Sequence, residues 1–101
     1  PSVRAIYDHM LASLRRFVKV IEEPKKTSIH LVNVTAFAGV QTRRAYILLN
    51  IKADHKIESP RIHKGEQISA RRFHHLVKIS SLSEIDDELL AWLHEVYELS
   101  G

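Results

Sequence analysis

The chain has 101 residues and a mass of 11.6 kDa, with 45% hydrophobic and 27% charged residues, the proportions of one globular domain around a single core. Cysteine is absent, which excludes disulfide staples, thiolate metal sites and a cysteine nucleophile. The formal charge of +3 is mild, no apolar run is long enough to span a bilayer, and the N-terminus lacks the apolar block of a signal peptide, so the expected location is cytoplasmic.

The first segment reads as an amphipathic helix. Val3, Ile6, Tyr7, Met10, Leu14, Phe17, Val18 and Ile21 recur at three- and four-residue steps and share one face. Pro24 cannot continue a helix and disfavours a helical Glu23, which puts the stop near Glu22.

The period then changes from 3.6 to 2. Residues 27–34 are β-rich without clean alternation, and 34–40 either extend that strand or follow it. Gln41-Thr42-Arg43-Arg44 is the expected hairpin connection to a strand in which Ala45, Ile47, Leu49 and Ile51 alternate with Tyr46, Leu48, Asn50 and Lys52. Residues 54–70, with Pro60 and Gly65, read mostly as loop, with a short edge strand at 61–63. In 73–80, Phe73, His75, Val77 and Ile79 alternate with His74, Leu76, Lys78 and Ser80. A short basic helix over 69–78 also fits, but Phe73, Val77 and Ile79 favour the strand.

The final segment is a second helix, with Ile85, Leu89, Trp92, Leu93, Val96 and Tyr97 as its buried stripe. Ser83 with Asp86, or equally Ser81 with Glu84, fits a capping box, and acids crowd the first turn where the helix dipole favours them. Helix, antiparallel sheet of three to five strands, helix is an α+β domain with both helices on one sheet face. The other face is then open, carrying Lys26, Ser28, His30, Tyr46, Asn50, Lys52, His74 and Lys78. A chain beginning at Pro1 without methionine reads as an excised domain.

Charge is segregated along the chain. Residues 1–23 hold four bases against three acids, residues 24–80 hold eleven bases against three acids, and residues 81–101 hold six acids and no base. The basic middle attracts phosphates or an acidic protein surface, and an acidic helix nearby would neutralise part of it. Few aromatics are placed to stack bases: Tyr46, and Phe37 in the loop after the first strand, with Phe73 assigned to the core.

Signatures of chemistry are sparse. His74 and His75 are adjacent, but neighbouring strand residues point to opposite faces and cannot share a metal. Convergence of His30 with His74, or of His75 with His63, requires cross-strand pairing. His94-Glu95 begins a metalloprotease helix, yet the second histidine four residues on is replaced by Glu98. No Gly-rich phosphate loop or Gly-x-Ser-x-Gly elbow is present, and no cofactor or metal is expected. Asn33-Val34-Thr35 matches a glycosylation acceptor, but it falls in an expected strand of a chain without a secretory signal.

Several segments together resemble a family. Glu23-Pro24-Lys25-Lys26-Thr27-Ser28-Ile29-His30 precedes Phe37-Ala38-Gly39-Val40 and Arg43-Arg44. Later come Pro60-Arg61-Ile62, Arg72-Phe73-His74-His75, and Ile85-Asp86-Asp87-Glu88-Leu89 leading to Trp92-Leu93 and Tyr97. That order resembles a bacterial domain-of-unknown-function family (five-six-five-five), members of which occur at the C-terminus of proteins labelled as predicted transport proteins. The resemblance implies no activity. It directs attention to Lys26, Ser28, His30, Arg44, Arg61, His74 and His75 as the polar residues of the recurring segments, a set suited to a small anion or phosphate. The leading expectation is a non-enzymatic module that binds nucleic acid or another polyanion through the open sheet face. The alternatives are a small-ligand or hydrolytic site on His30, Arg61 and His74, and a purely structural domain that docks on a fused or separate protein.

Overall fold

The computed structural model describes residues 2–101. Helix α1 (Val3–Arg15) is capped by Ser2, whose Oγ accepts from the Ala5 N–H, and it buries Ile6, Tyr7, Met10, Leu11 and Leu14. It stops seven residues before Glu22. The β-branched Val18, Val20 and Ile21 favour extended backbone, and residues 21–24 leave the helix to become strand β1 (Ile21–Pro24). Two members of the expected stripe are therefore solvent-facing: Phe17 is 70% and Ile21 53% exposed, while Val20, off that stripe, is buried. Glu22 ties the new strand back to α1, accepting from Tyr7 Oη at 2.6 Å and from Arg15 Nη2 at 3.5 Å.

Five further strands follow: β2 (Ile29–Val32), β3 (Ala36–Thr42), β4 (Ile47–Ala53), β5 (Ile62–Ser69) and β6 (Arg72–Ile79). All neighbours pair antiparallel in the order β1-β2-β3-β4-β6-β5, one strand more than the upper expectation. The strand reading of 72–79 is correct, and β5 is a full eight-residue strand where a loop with a short edge segment is expected. It turns into β6 at Ala70-Arg71.

The β4-to-β5 connection skips one position in the sheet, so residues 54–61 cross over β6. Ile57 buries its side chain under that crossing, and its N–H donates to Nε2 of His75 at 3.0 Å. His75, at 1% exposure, is the one buried polar residue among those described. The loop is otherwise exposed or half-buried, and where it dips inward at Ile57 its backbone donor needs a partner, which His75 supplies.

The core lies between the sheet and the two helices, with Leu31, Val40, Ile47, Leu49, Ile51, Val77 and Ile79 facing α1 and α2. Phe37 belongs to it. A register shift leaves Phe37 without a cross-strand partner between the pairs Leu31–Ala38 and Val32–Ala36. The extra residue turns its ring inward, edge-on to Tyr97 at 5.4 Å, so it is not a base-stacking aromatic.

After a single 3-10 turn (Leu82–Glu84), helix α2 (Asp87–Leu99) begins with Asp86 as its cap, Oδ1 accepting from the Leu89 N–H at 3.0 Å. Neither serine box caps α2. Ser81 and Glu84 instead bond to each other across the 3-10 turn, where Glu84 also accepts from Ser80 N–H and Oγ. At the far end, Asn33 and Thr35 of the β2–β3 turn satisfy the α2 carbonyls. Asn33 Nδ2 donates to Tyr97 O, and Thr35 N–H to Ser100 O. The sequon is thus a turn rather than a strand, and its asparagine amide is committed to holding a helix end.

Candidate anion-binding cleft

The residues singled out from sequence do not converge. Lys26 and Ser28 sit in the β1–β2 turn, closed by Lys25 N–H donating to Ser28 O at 2.7 Å, so they form no strand face with His30. His30 lies in β2 and His74 in β6, with β3 and β4 between them, a lateral separation of about 14 Å. Arg44 lies in the β3–β4 turn with Tyr46, which Lys78 Nζ covers at 4.4 Å from the ring centroid.

Arg61 is occupied on the helix side. Its Nη1 donates to Asp86 Oδ1 at 2.7 Å and Glu88 Oε1 at 3.1 Å, its Nη2 to Glu84 O at 2.7 Å, and the guanidinium stands 5.7 Å from the Trp92 ring. His75 faces the core and His74 the opposite side, as adjacent strand residues must. The proposed grouping of His30, Arg61 and His74 is therefore not assembled by the fold.

What the fold does assemble is a cleft of about 500 Å³ at the end of the sheet where β4 finishes, β6 starts and α2 terminates. Lys52, Arg71, Arg72 and His74 line it, together with Asp54, and Ile68, Leu99 and Phe37 give it apolar wall. The elements explain the convergence. Lys52 is opposite His74 across β4 and β6, and the tight Ala70-Arg71 turn brings both arginines to the same corner. A cleft of this size suits a small organic ligand.

The cleft is predominantly basic, although Asp54 lies in its lining with Arg71 among the charges that lower its pKa. None of Lys52, Arg71 and Arg72 forms an ion pair among the described residues. Asp54, the one acid in the lining, is held by His55, with Nδ1 to Oδ1 at 2.9 Å. His74 registers the local field. Burial, then the charges of Lys52 and Arg72, push its pKa below the ordinary imidazole value, against a smaller opposing effect of Glu66. Its Nε2 is shielded and has no hydrogen-bond partner among the described residues, and the same is true of Asn50 Oδ1 on the same sheet face.

Metal-capable side chains gather elsewhere. Asp54, His55 and Glu95 present ligand atoms within 4.8 Å of one another, all exposed. The Asp54–His55 ion pair accounts for this grouping, since their hydrogen bond lowers the Asp54 pKa and raises that of His55.

In the sequence Lys52 reads as an open-face residue, Arg72 as part of a recurring segment and Arg71 as one more base of the basic middle, with nothing to join the three. The doublet Arg71-Arg72, separated from His74 by Phe73, is the available signal; that it meets Lys52 depends on β6 pairing with β4. Among the described residues, no helix is long and apolar enough to cross a membrane. No curated protein and no solved structure matches this chain. A family model does match, covering residues 1–100, and the chain belongs to that family, described as Domain of unknown function (DUF5655).

Proposed function

We propose that this domain is a non-enzymatic binding module for phosphate-bearing ligands, received in the cleft of Lys52, Arg71, Arg72 and His74. The carrying observation is that three cations and a histidine line one cleft without a carboxylate partner for any of the cations. Holding like charges together costs Coulomb energy, which a bound anion removes. The arginines supply forked donors matched to phosphate oxygens, Lys52 a mobile point charge, and the His74 imidazole a further positive charge once protonated. Ile68, 47% exposed, and Leu99, 48% exposed, offer apolar surface to the organic body of such a ligand. This favours a phosphate monoester or chain end over a polymer running along the sheet.

An NMR titration tests the reading, with inorganic phosphate, a nucleoside monophosphate and a single-stranded oligonucleotide as probes. Saturable shifts are expected at the amides of Lys52 and residues 71–74 with phosphate on the order of 10 mM or less. The double variant Arg71→Glu/Arg72→Glu should weaken binding about tenfold or more. Burial and the neighbouring cations hold the free His74 pKa below the ordinary imidazole value and a bound anion should raise it, so His74→Ala should remove the proton-linked part of binding, read with sulfate as a probe whose own charge does not change. Unmoved amides in the cleft, or equal binding by the double variant, would overturn the assignment.

A further inference from the structure

The sheet has two free edges, and they are built differently. Strand β1 is four residues long, ends in Pro24, and has Glu22 and Glu23 engaged by Tyr7 and Lys25. It is a blunted edge. Strand β5 is eight residues long, its residues 63–69 are all exposed, and its outer row of backbone groups faces no other element of the sheet.

The sequence of β5 is charge-symmetric about Gly65, with Lys64 on one side and Glu66 on the other. Lys64 pairs with Leu76 and Glu66 with His74, which puts both side chains on the open face of the sheet. Neither forms an ion pair among the described residues.

The glycine between them has no internal justification. Its φ is not positive, and an added Cβ would meet only His75 Cδ2 at 3.8 Å and Ile62 Cγ2 at 3.9 Å, ordinary contacts. A strand glycine whose own fold would accept a side chain marks a place where another backbone comes close.

We propose that β5 is a self-association edge on which a second copy of this chain adds its own β5 antiparallel, the two-fold axis passing at Gly65. Antiparallel pairing about that residue sets Lys64 opposite the partner's Glu66 and Glu66 opposite the partner's Lys64, two ion pairs generated by one symmetric register. Register shifts at Ile62/Lys64 and at Gln67/Ser69 confine the regular ladder to the centre of the strand. The interface is accordingly small and the dimer concentration-dependent. The axis stands perpendicular to the sheet, so both open faces, and both clefts, lie on the same side of the joined sheet.

Sedimentation equilibrium on the full chain, from about 10 μM to about 1 mM, decides the matter. Wild type should shift from monomer to dimer across this range. Lys64→Glu alone, and Glu66→Lys alone, place like charges opposite each other twice per dimer and should weaken association about tenfold. The double variant Lys64→Glu/Glu66→Lys should restore it. Circular dichroism confirms that each variant folds, which is expected at exposed positions. A wild-type chain that stays monomeric throughout, or a dimer unaffected by both single reversals, would overturn the proposal.

Discussion

Arg61 joins the crossing loop to the start of α2, and its removal should destabilise the domain measurably. Its side chain is 22% exposed, against 47% for Asp86 and 51% for Glu88. Fully buried, each charge-assisted bond is worth about 1.5–3 kcal/mol, but half-exposed carboxylates reduce the two ion pairs to about 0.5–1 kcal/mol each. The bond to the Glu84 carbonyl contributes about 1 kcal/mol, and the stack over Trp92 at 5.7 Å about 0.5 kcal/mol. Arg61→Ala should therefore cost about 2.5–3.5 kcal/mol, a fall in Tm of roughly 10–25 °C for a domain of this size.

Burial opposes the guanidinium charge, yet the bonds to Asp86 and Glu88 outweigh it and raise the Arg61 pKa. Arg61→Lys keeps the charge but cannot reach two carboxylates and a carbonyl with one planar fork, so it should recover about half the loss. Urea denaturation followed by circular dichroism, at low and at high salt, measures both, and only the ion-pair share should respond to salt. A cost below about 0.5 kcal/mol for Arg61→Ala, or full stability in Arg61→Lys, would refute this reasoning. A folded, unaltered Arg61→Ala that had lost phosphate binding would return Arg61 to the ligand site.

Two other contacts yield direct expectations. Burial, with a smaller push from His55 and an opposing pull from the Ile51 carbonyl, lowers the His75 pKa. The unfolded chain therefore takes up a proton near pH 6.5 while the fold still resists it, and stability should fall as pH drops below about 6.5. Denaturant midpoints from pH 8 to 5 measure this, and His75→Phe should reduce the slope. An unchanged slope would show that His75 is not the group responsible. Tyr7→Phe removes the 2.6 Å bond to Glu22, whose burial and acceptor partner raise the phenol pKa, and should cost about 1–2 kcal/mol by the same assay. A neutral substitution would mean that β1 is held by its pairing with β2 and by Arg15 without help from the tyrosine.

The readable parts of the sequence were those with one buried and one wet side. In β4, Ile47, Leu49, Ile51 and Ala53 are buried and alternate with half-buried Leu48, Asn50 and Lys52, so period 2 shows through. In α2, Leu89, Leu93 and Val96 mark the buried line. Strand β5 is nearly all exposed, so no burial pattern is imprinted on it, and Gly65 among charged residues imitates a loop. Phe17 and Ile21 kept helical spacing by coincidence, since solvent-facing apolar residues leave the same letters as core residues. The cleft was illegible for a different reason. Lys52 and Arg72 are separated by twenty positions and meet only because β6 inserts between β4 and β5, a matter of sheet order that composition and periodicity do not encode.

Charge segregation gains its meaning from the same topology. Read along the chain, an acidic final helix seems placed to answer the basic middle. In the fold only Arg61 reaches its acids, at Asp86 and Glu88, while Glu95 and Glu98 face His55 and His94. Lys52 and Lys78 stand on the opposite side of the sheet, a packed layer roughly 10 Å away. Between exposed charges that distance exceeds a Debye length of about 8 Å at physiological salt, so the helix leaves their field largely intact. At the cleft itself α2 contributes Val96 and Leu99, and its cap Ser100, all without charge, and its last carbonyls are turned to Asn33 and Thr35. The acids of the helix stabilise its own start and fasten the crossing loop through Arg61, and the cations at the far corner of the sheet stay without an ion pair among the described residues, with Asp54 the one carboxylate in their cleft. A cation cluster that the fold does not itself use is the physical reason for placing ligand binding there.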